Sequence, residues 1–259
     1  QLLKYPGFEA HIIKAPVPAA DPAEPTGRKR FSKCPADKYK TRGGYRSTSL
    51  RSDAAERYNA MYARVKALGG IITSAGGKRG LTAGGGSAQS KTSLHYLGLA
   101  FDMALPTGMQ GKNDPYVICK DSETPRKWVV WCRLLDESAP EAHTVEEVEL
   151  EGWYVTSHRN SKGKRYTQMH SYTFKGKAIN VTAIAKENGW EPIRGRRSFF
   201  RGGSATGSEW WHFGCNALLE DGTTFGEELL KVYKLSEVKA KFRWWDKSKM
   251  ATWGKNWFG

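Results

Sequence analysis

The chain has 259 residues, with 41 Lys and Arg against 26 Asp and Glu, and a formal net charge of +15. At 39% hydrophobic and 12% aromatic residues it is too rich in rings for a disordered chain, and no run approaches the roughly 18 apolar residues of a membrane span. The length suits one large domain, or one domain with an appended piece. The charge points to an anionic partner (nucleic acid, a membrane surface or a cell-envelope polymer), with solubility alone as the plain alternative. Cys34, Cys119, Cys132 and Cys215 form no C-x-x-C pair and are too sparse for a disulfide scaffold, so they are expected as buried free thiols. No basic-then-apolar leader follows Gln1, and no signal peptide is read there.

In chain order, residues 1–35 read as irregular, with a Pro-rich, extended stretch at 15–25 (APVPAADPAEP) and a basic run, Arg28 to Arg30. Residues 52–68 place Ala54, Tyr58, Met61, Tyr62 and Val65 at helical spacing, with Ser52 as N-cap, Glu56 in the first turn and Gly69-Gly70 as the stop. Residues 71–74 read as a short strand. The glycine-rich stretch from Gly76 to Gly86 lacks P-loop spacing and reads as a loop. Residues 99–105 suggest a buried strand, and 126–135 (RKWVVWCRLL) a strand or short helix. Residues 145–180 read as hairpins, with 151–155 and 166–170 flanking a turn at Asn160 to Gly163. Residues 180–188 read as a helix closed by Gly189, and 209–215 (EWWHFGC) as a turn entering a strand. The tail from Phe242 carries Trp244, Trp245, Trp253 and Trp257, the last two spaced for a short packed helix. This order fits an α+β fold with an antiparallel sheet flanked by helices.

Of six histidines, His11, His143, His158 and His170 read as structural or surface residues. His95 and His212 stand apart by their neighbours. In Ser93 to Asp102 (SLHYLGLAFD), Gly98 allows a sharp bend. Beyond it Leu97, Leu99, Phe101 and Met103 share an apolar face, and Gly98, Ala100 and Asp102 the other. Asp102 then projects from a face of small residues, beside a histidine returned by the bend, and such a pair can bind a metal. Downstream, Glu209 precedes His212 by three positions, which do not share a strand face, so a turn must precede His212. A carboxylate placed there can stand beside a metal without ligating it, as in the logic of H-E-x-x-H. Two His and one Asp carry a charge of −1, and with Zn²⁺ leave an open position for water, the pattern of a catalytic site.

The spacing S-x-H-x-x-G-x-A-x-D at Ser93, His95, Gly98, Ala100 and Asp102, followed far downstream by E-x-x-H at Glu209 and His212, resembles the M15 family of zinc peptidases. That family includes D-alanyl-D-alanine carboxypeptidases, dipeptidases of vancomycin resistance and phage endolysins. Trp211 before His212 matches as well, and the resemblance spans roughly residues 45–215. It implies a zinc-peptidase domain over 41–235; the extended Pro-rich arm over 1–40 and the basic aromatic tail over 236–259, expected to pack on the domain, lie outside the resemblance. It implies His95, Asp102 and His212 as zinc ligands, Glu209 as general base, and an arginine that holds substrate oxygen. Arg79, after the strand at 71–74, is favoured for that role, with Arg46 open. Ser93 is expected to bond a ligand or nearby backbone.

The expected activity is zinc-dependent hydrolysis of a D-amino-acid-containing peptide bond in peptidoglycan stem peptides, by an endopeptidase, endolysin or D,D-carboxypeptidase. The charge would draw the chain to anionic wall polymers, at the cell envelope, outside the cell or on a phage particle. The rival is a non-catalytic, peptidase-like structural or wall-binding protein. A nucleic-acid binder is not expected, because the basic residues are spread and no recognition motif is present.

Overall fold

The structure, a computed structural model, describes residues 27–39, 47–82, 92–161, 163, 165–220 and 222–241. The Pro-rich stretch, His11, Arg46, most of the Gly/Ser-rich loop at 80–92 and the tail from Phe242 lie outside them. It has both helices and antiparallel sheets, an α+β fold.

Helix α1 (Ser52–Ala67) buries Ala54, Ala55, Tyr58, Met61 and Val65 against the core. Its start differs from the expectation. Arg51 is the N-cap and Ser52 already lies in the helix, because the Ser52 N–H donates to Arg30 O and carries strand pairing up to the first turn. Asp53 Oδ1 accepts from Ala54 N instead. The strands concerned are β1 (Phe31–Cys34) and β2 (Thr48–Arg51), which pair antiparallel with Phe31 opposite Arg51. Residues 31–34 are thus a strand where an irregular segment is expected. The basic run before them is pinned too, with Lys29 N on Lys231 O and Arg28 Nε on Tyr233 O.

Residues 71–74 form no strand. Their amides are taken by side chains: Ile72 N donates to Asp37 Oδ2 at 2.8 Å and Thr73 N to Tyr116 Oη at 2.9 Å. The segment then meets a single bridge, Gly76 to Asp102.

Helix α2 (Leu94–Leu97) leads through Gly98 into strand β3 (Ala100–Asp102). A four-stranded antiparallel sheet follows, in the order β4 (Tyr116–Lys120), β5 (Trp128–Arg133), β7 (Arg165–Asn180), β6 (Glu147–Arg159). The block at 126–135 is therefore a strand. The β6–β7 hairpin runs from Glu147 opposite Lys177 to Arg159 opposite Arg165. Helix α3 (Val181–Glu187) starts where Asn180 Oδ1 accepts from Ala183 N. Strand β8 (Glu191–Pro192) and strand β9 (His212–Gly214) complete a second sheet, ordered β3–β9–β8. The antiparallel pairing is thus divided among three sheets. Helix α4 (Phe225–Leu230) opens on a capping box of Thr224 and Glu227, and α5 (Leu235–Lys241) follows.

The centre of the core is aromatic. Phe101 stacks on Phe213 (5.3 Å, 6°) and meets Tyr58 and Trp190 edge-on. Beside it, Arg51 and Glu228, each with 1% of the side chain exposed, form an ion pair at 3.2 Å. Arg51 also holds Asp53, and Glu228 holds Lys231. No helix among the described residues is long and apolar enough to cross a membrane. Removing one member of a buried pair strands the other charge. Glu228→Ala is expected to cost about 3 kcal/mol, read as a lower urea midpoint. The double variant Arg51→Met, Glu228→Ala should recover part of that loss.

Candidate metal centre

Three short elements carry the site. Ser93 is the N-cap of α2, and its Oγ accepts from the His95 amide at 3.4 Å. The serine of the motif therefore orders the turn that presents His95. At the other end of α2, Gly98 sits at φ +67°, a left-handed conformation that suits glycine. A Cβ there would also lie 2.7 Å from Arg51 N, which donates to Gly98 O. The motif's glycine thus serves a bend and a close backbone crossing at once.

Beyond the bend, Leu97, Leu99, Phe101 and Met103 are all buried, as the alternation predicts. Ala100 is buried as well, so the small-residue face opens only at Asp102, whose side chain is 21% exposed. Strand β3 pairs with β9 in the register Ala100–Gly214, Phe101–Phe213 and Asp102–His212. Asp102 and His212 are therefore direct cross-strand neighbours.

His95 is oriented from behind. Its Nδ1 donates to Gly77 O at 2.5 Å, which assigns the tautomer and leaves the Nε2 lone pair facing Asp102 and His212. Gly77 belongs to the glycine-rich stretch, and a Cβ on it would lie 2.6 Å from Ser49 O. That stretch supplies a backbone carbonyl to the site. Arg79 N donates to His95 O at 2.8 Å and fixes the same turn.

His95 Nε2 lies 3.2 Å from Asp102 Oδ2, His212 Nδ1 lies 3.0 Å from Asp102 Oδ1, and the two ring nitrogens are 3.4 Å apart. The imidazole planes stand at 89°. One donor atom from each residue falls within 4.8 Å of the others, and the group could hold a metal ion. Burial pushes the Asp102 carboxyl up, but the charges of His95 and His212 outweigh it and hold the carboxyl well below the ordinary range. Asp102 is a carboxylate at neutral pH. Its buried Oδ1 has no aligned hydrogen-bond donor among the described residues, an orphaned acceptor turned toward the two histidines. No thiol belongs to this group among the described residues. Cys34, Cys119, Cys132 and Cys215 are free, and burial pushes Cys34 up to about 11 and the other three up to about 12.

Glu209 enters from the turn before β9. Its backbone lies at φ +57°, and its carbonyl accepts from His212 N at 3.1 Å, closing the turn expected ahead of His212. A non-glycine residue there costs on the order of 1 kcal/mol and persists only where packing over-determines it. Trp210 and Trp211 are buried on its C-terminal side, and Trp128 Nε1 holds Ser208 O at 2.8 Å on the other. The Glu209 side chain is buried, and Oε1 accepts from Arg196 Nε at 2.7 Å.

The structure brings His95, Asp102 and His212 together, with Ser93 behind them and Glu209 on the adjoining turn. Arg79 is different. Its guanidinium lies 5.8 Å over the Tyr96 ring, and its tie to the site is the backbone bond to His95. Arg46 lies outside the described residues. Arg196, which sequence reading passes over, is the arginine that meets Glu209. The only signal for it is the run of four arginines in residues 194–201, with no acidic residue before Glu209. Comparison with models of protein families, with curated proteins and with solved structures finds no match.

His95→Ala and His212→Ala are each expected to lose stoichiometric binding of a divalent cation in equilibrium dialysis. Full retention in either variant would remove that residue from the site.

Proposed function

We propose that the protein is a zinc peptidase that hydrolyses a D-amino-acid-containing peptide bond in peptidoglycan. The observation that carries this reading is the convergence of two imidazole nitrogens and one carboxylate, with Glu209 held on the turn that presents His212. A tetrahedral ion with bonds of about 2.0–2.1 Å has edges of about 3.3–3.4 Å, and the 3.4 Å between His95 Nε2 and His212 Nδ1 matches that edge. Two nitrogens and one oxygen suit zinc, and three protein ligands leave a position for the reaction.

A bound zinc ion supplies Lewis acidity, polarising a substrate carbonyl and acidifying a water beside it. Glu209 is the base: its carboxylate takes a proton from the attacking water and passes it to the leaving amine nitrogen. Arg196, on Glu209 Oε1, orients that carboxylate. Gly77 O and Ser93 hold His95 in one tautomer and one position. The motif spacing at Ser93, His95, Gly98, Ala100 and Asp102 resembles a family that acts on wall peptides. The charge of +15 favours adhesion to an anionic wall polymer, which suits an endopeptidase better than an enzyme that trims terminal D-Ala.

The purified chain is expected to contain one zinc and to release peptide fragments from sacculi, read by mass spectrometry. Free D-Ala as sole product would establish trimming. No product from the zinc-loaded chain would favour a structural or wall-binding role. Glu209→Gln should keep the zinc and lose about 10²–10⁴-fold in rate. Loss of zinc in that variant would make Glu209 a ligand, and unchanged turnover would remove it from the reaction.

A further inference from the structure

The cationic excess of the chain is concentrated. Residues 152–208 carry 11 Lys and Arg against two acidic residues, a net +9 of the chain's +15. The two acids, Glu187 and Glu191, fall at the end of α3 and in β8. The hairpin keeps Glu147, Glu149 and Glu151 at the end that joins the sheet, and Arg159 at its free end. Other cations of the fold meet carboxylates: Lys66 on Asp37, Lys127 on Glu191, Lys175 on Glu149, and Lys231 on Glu220 and Glu228.

The free end of the hairpin is joined to the arginine-rich segment. Thr167 N donates to Gly202 O at 3.1 Å, and Thr167 stands opposite Ser157 in the hairpin register. Arg201, next to Gly202, is thereby set beside the hairpin two residues from Arg159. The segment is fixed in turn: Gly195 N donates to Arg126 O and Arg196 N to Gly207 O, both at 2.7 Å, and Phe199 is buried against Trp128. Arg159, Arg194, Arg197 and Arg201 are exposed, and none of them meets a carboxylate among the described residues. Arg196 is engaged by Glu209 and is not counted in this surface, but it places the surface at the border of the candidate centre.

The aromatic side chains of the hairpin are turned on one another. Tyr154 stacks on His170 at 5.1 Å and 24°, and His158 on Tyr166 at 5.4 Å and 29°. Both imidazoles are tied to one hydroxyl, with Thr156 Oγ1 at 2.7 Å from His158 Nε2 and 2.9 Å from His170 Nε2. Single-stranded nucleic acid is held by bases lying on ring faces, and here each ring has a face covered by its neighbour. A phosphodiester chain without bases needs only cations, and the guanidinium fork matches phosphate oxygens. We propose that Arg159, Arg194, Arg197 and Arg201 form a docking surface for a linear polyol-phosphate polymer of the cell wall, held along the hairpin end beside the candidate centre. The choice of a wall polymer rests on the peptidase reading; the test of binding does not.

The test uses the full chain and a labelled poly(glycerol phosphate), with binding read by fluorescence anisotropy between about 0.05 and 0.2 M salt. Log K is expected to fall with log salt on a slope of about −2 or steeper, the value for three phosphate contacts at about 0.7 each. The triple variant Arg159→Gln, Arg197→Gln, Arg201→Gln should bind at least about tenfold more weakly at the lower salt and lose about 2 from the slope. The triple variant Arg30→Gln, Lys33→Gln, Lys112→Gln removes equal charge from exposed positions elsewhere and should keep most of the binding. Equal weakening in both triples makes the effect one of net charge and overturns the proposal, as does absence of binding by the unaltered chain. Oligo-dT with the same number of phosphates, bound more tightly through the same arginines, replaces the wall polymer with a nucleic acid and overturns it too. Polymer binding through these arginines without hydrolysis of sacculi overturns the peptidase reading and leaves this one standing; hydrolysis without such binding does the reverse.

Discussion

Everything at the candidate centre depends on the register between β3 and β9. Three residue pairs define it, and the middle pair, Phe101 with Phe213, is a stacked contact inside the core. A slip of one residue would turn every side chain of a strand to the other face. Here it would drive Asp102 into the aromatic packing and move His212 out of reach. Backbone bonds from Met103 N to Trp211 O and from Cys215 N to Leu99 O extend the pairing at both ends. Apolar packing thus fixes polar donors. The energy that holds Asp102 opposite His212 is the burial of rings from α1, β3, β9 and the segment after α3.

Around that register the structure accepts several locally unfavourable features. Two imidazoles face each other across one half-buried carboxylate, Glu209 sits in a left-handed backbone conformation, and a fully buried ion pair lies beside the bend at Gly98. Each is held by packed or hydrogen-bonded neighbours. Trp128 and Trp210 clamp the turn at Glu209, and Arg51 meets Gly98 through its own amide. Strained and partly satisfied groups often gather at sites rather than in scaffolds; these three lie near the candidate centre, while Met109 and Arg126 also take positive φ.

Much of this was readable from residue order. The helical spacing of Tyr58, Met61 and Val65, the alternation through Leu99 and Phe101, and the i, i+3 placement of Glu209 and His212 depend on short-range geometry, and the structure agrees with them. His95 and Asp102 were readable because Gly98 marks the bend between them. Readings failed where a tertiary partner overrode a local rule. Ser52 looks like a cap until Arg30 takes its amide, and residues 71–74 look like a strand until Asp37 and Tyr116 take theirs. Arg79 stands where the motif order predicts, but Tyr96 decides where its guanidinium lies. Arg196 has no motif at all. Its place beside Glu209 comes from the fold of residues 196–209.

His95 and His212 are separated by 117 positions, and β9 lies between β3 and β8 in its sheet. At about 5–20 residues per second, a growing chain exposes His95 roughly 6–23 s before His212 exists. Through that interval the first histidine and the aspartate have no third partner, and β3 has no Phe213 to cover Phe101. One strand, arriving late, supplies both what the core lacks and what the donor set lacks. A nascent chain cannot bring the three donor side chains together before β9 has covered Phe101.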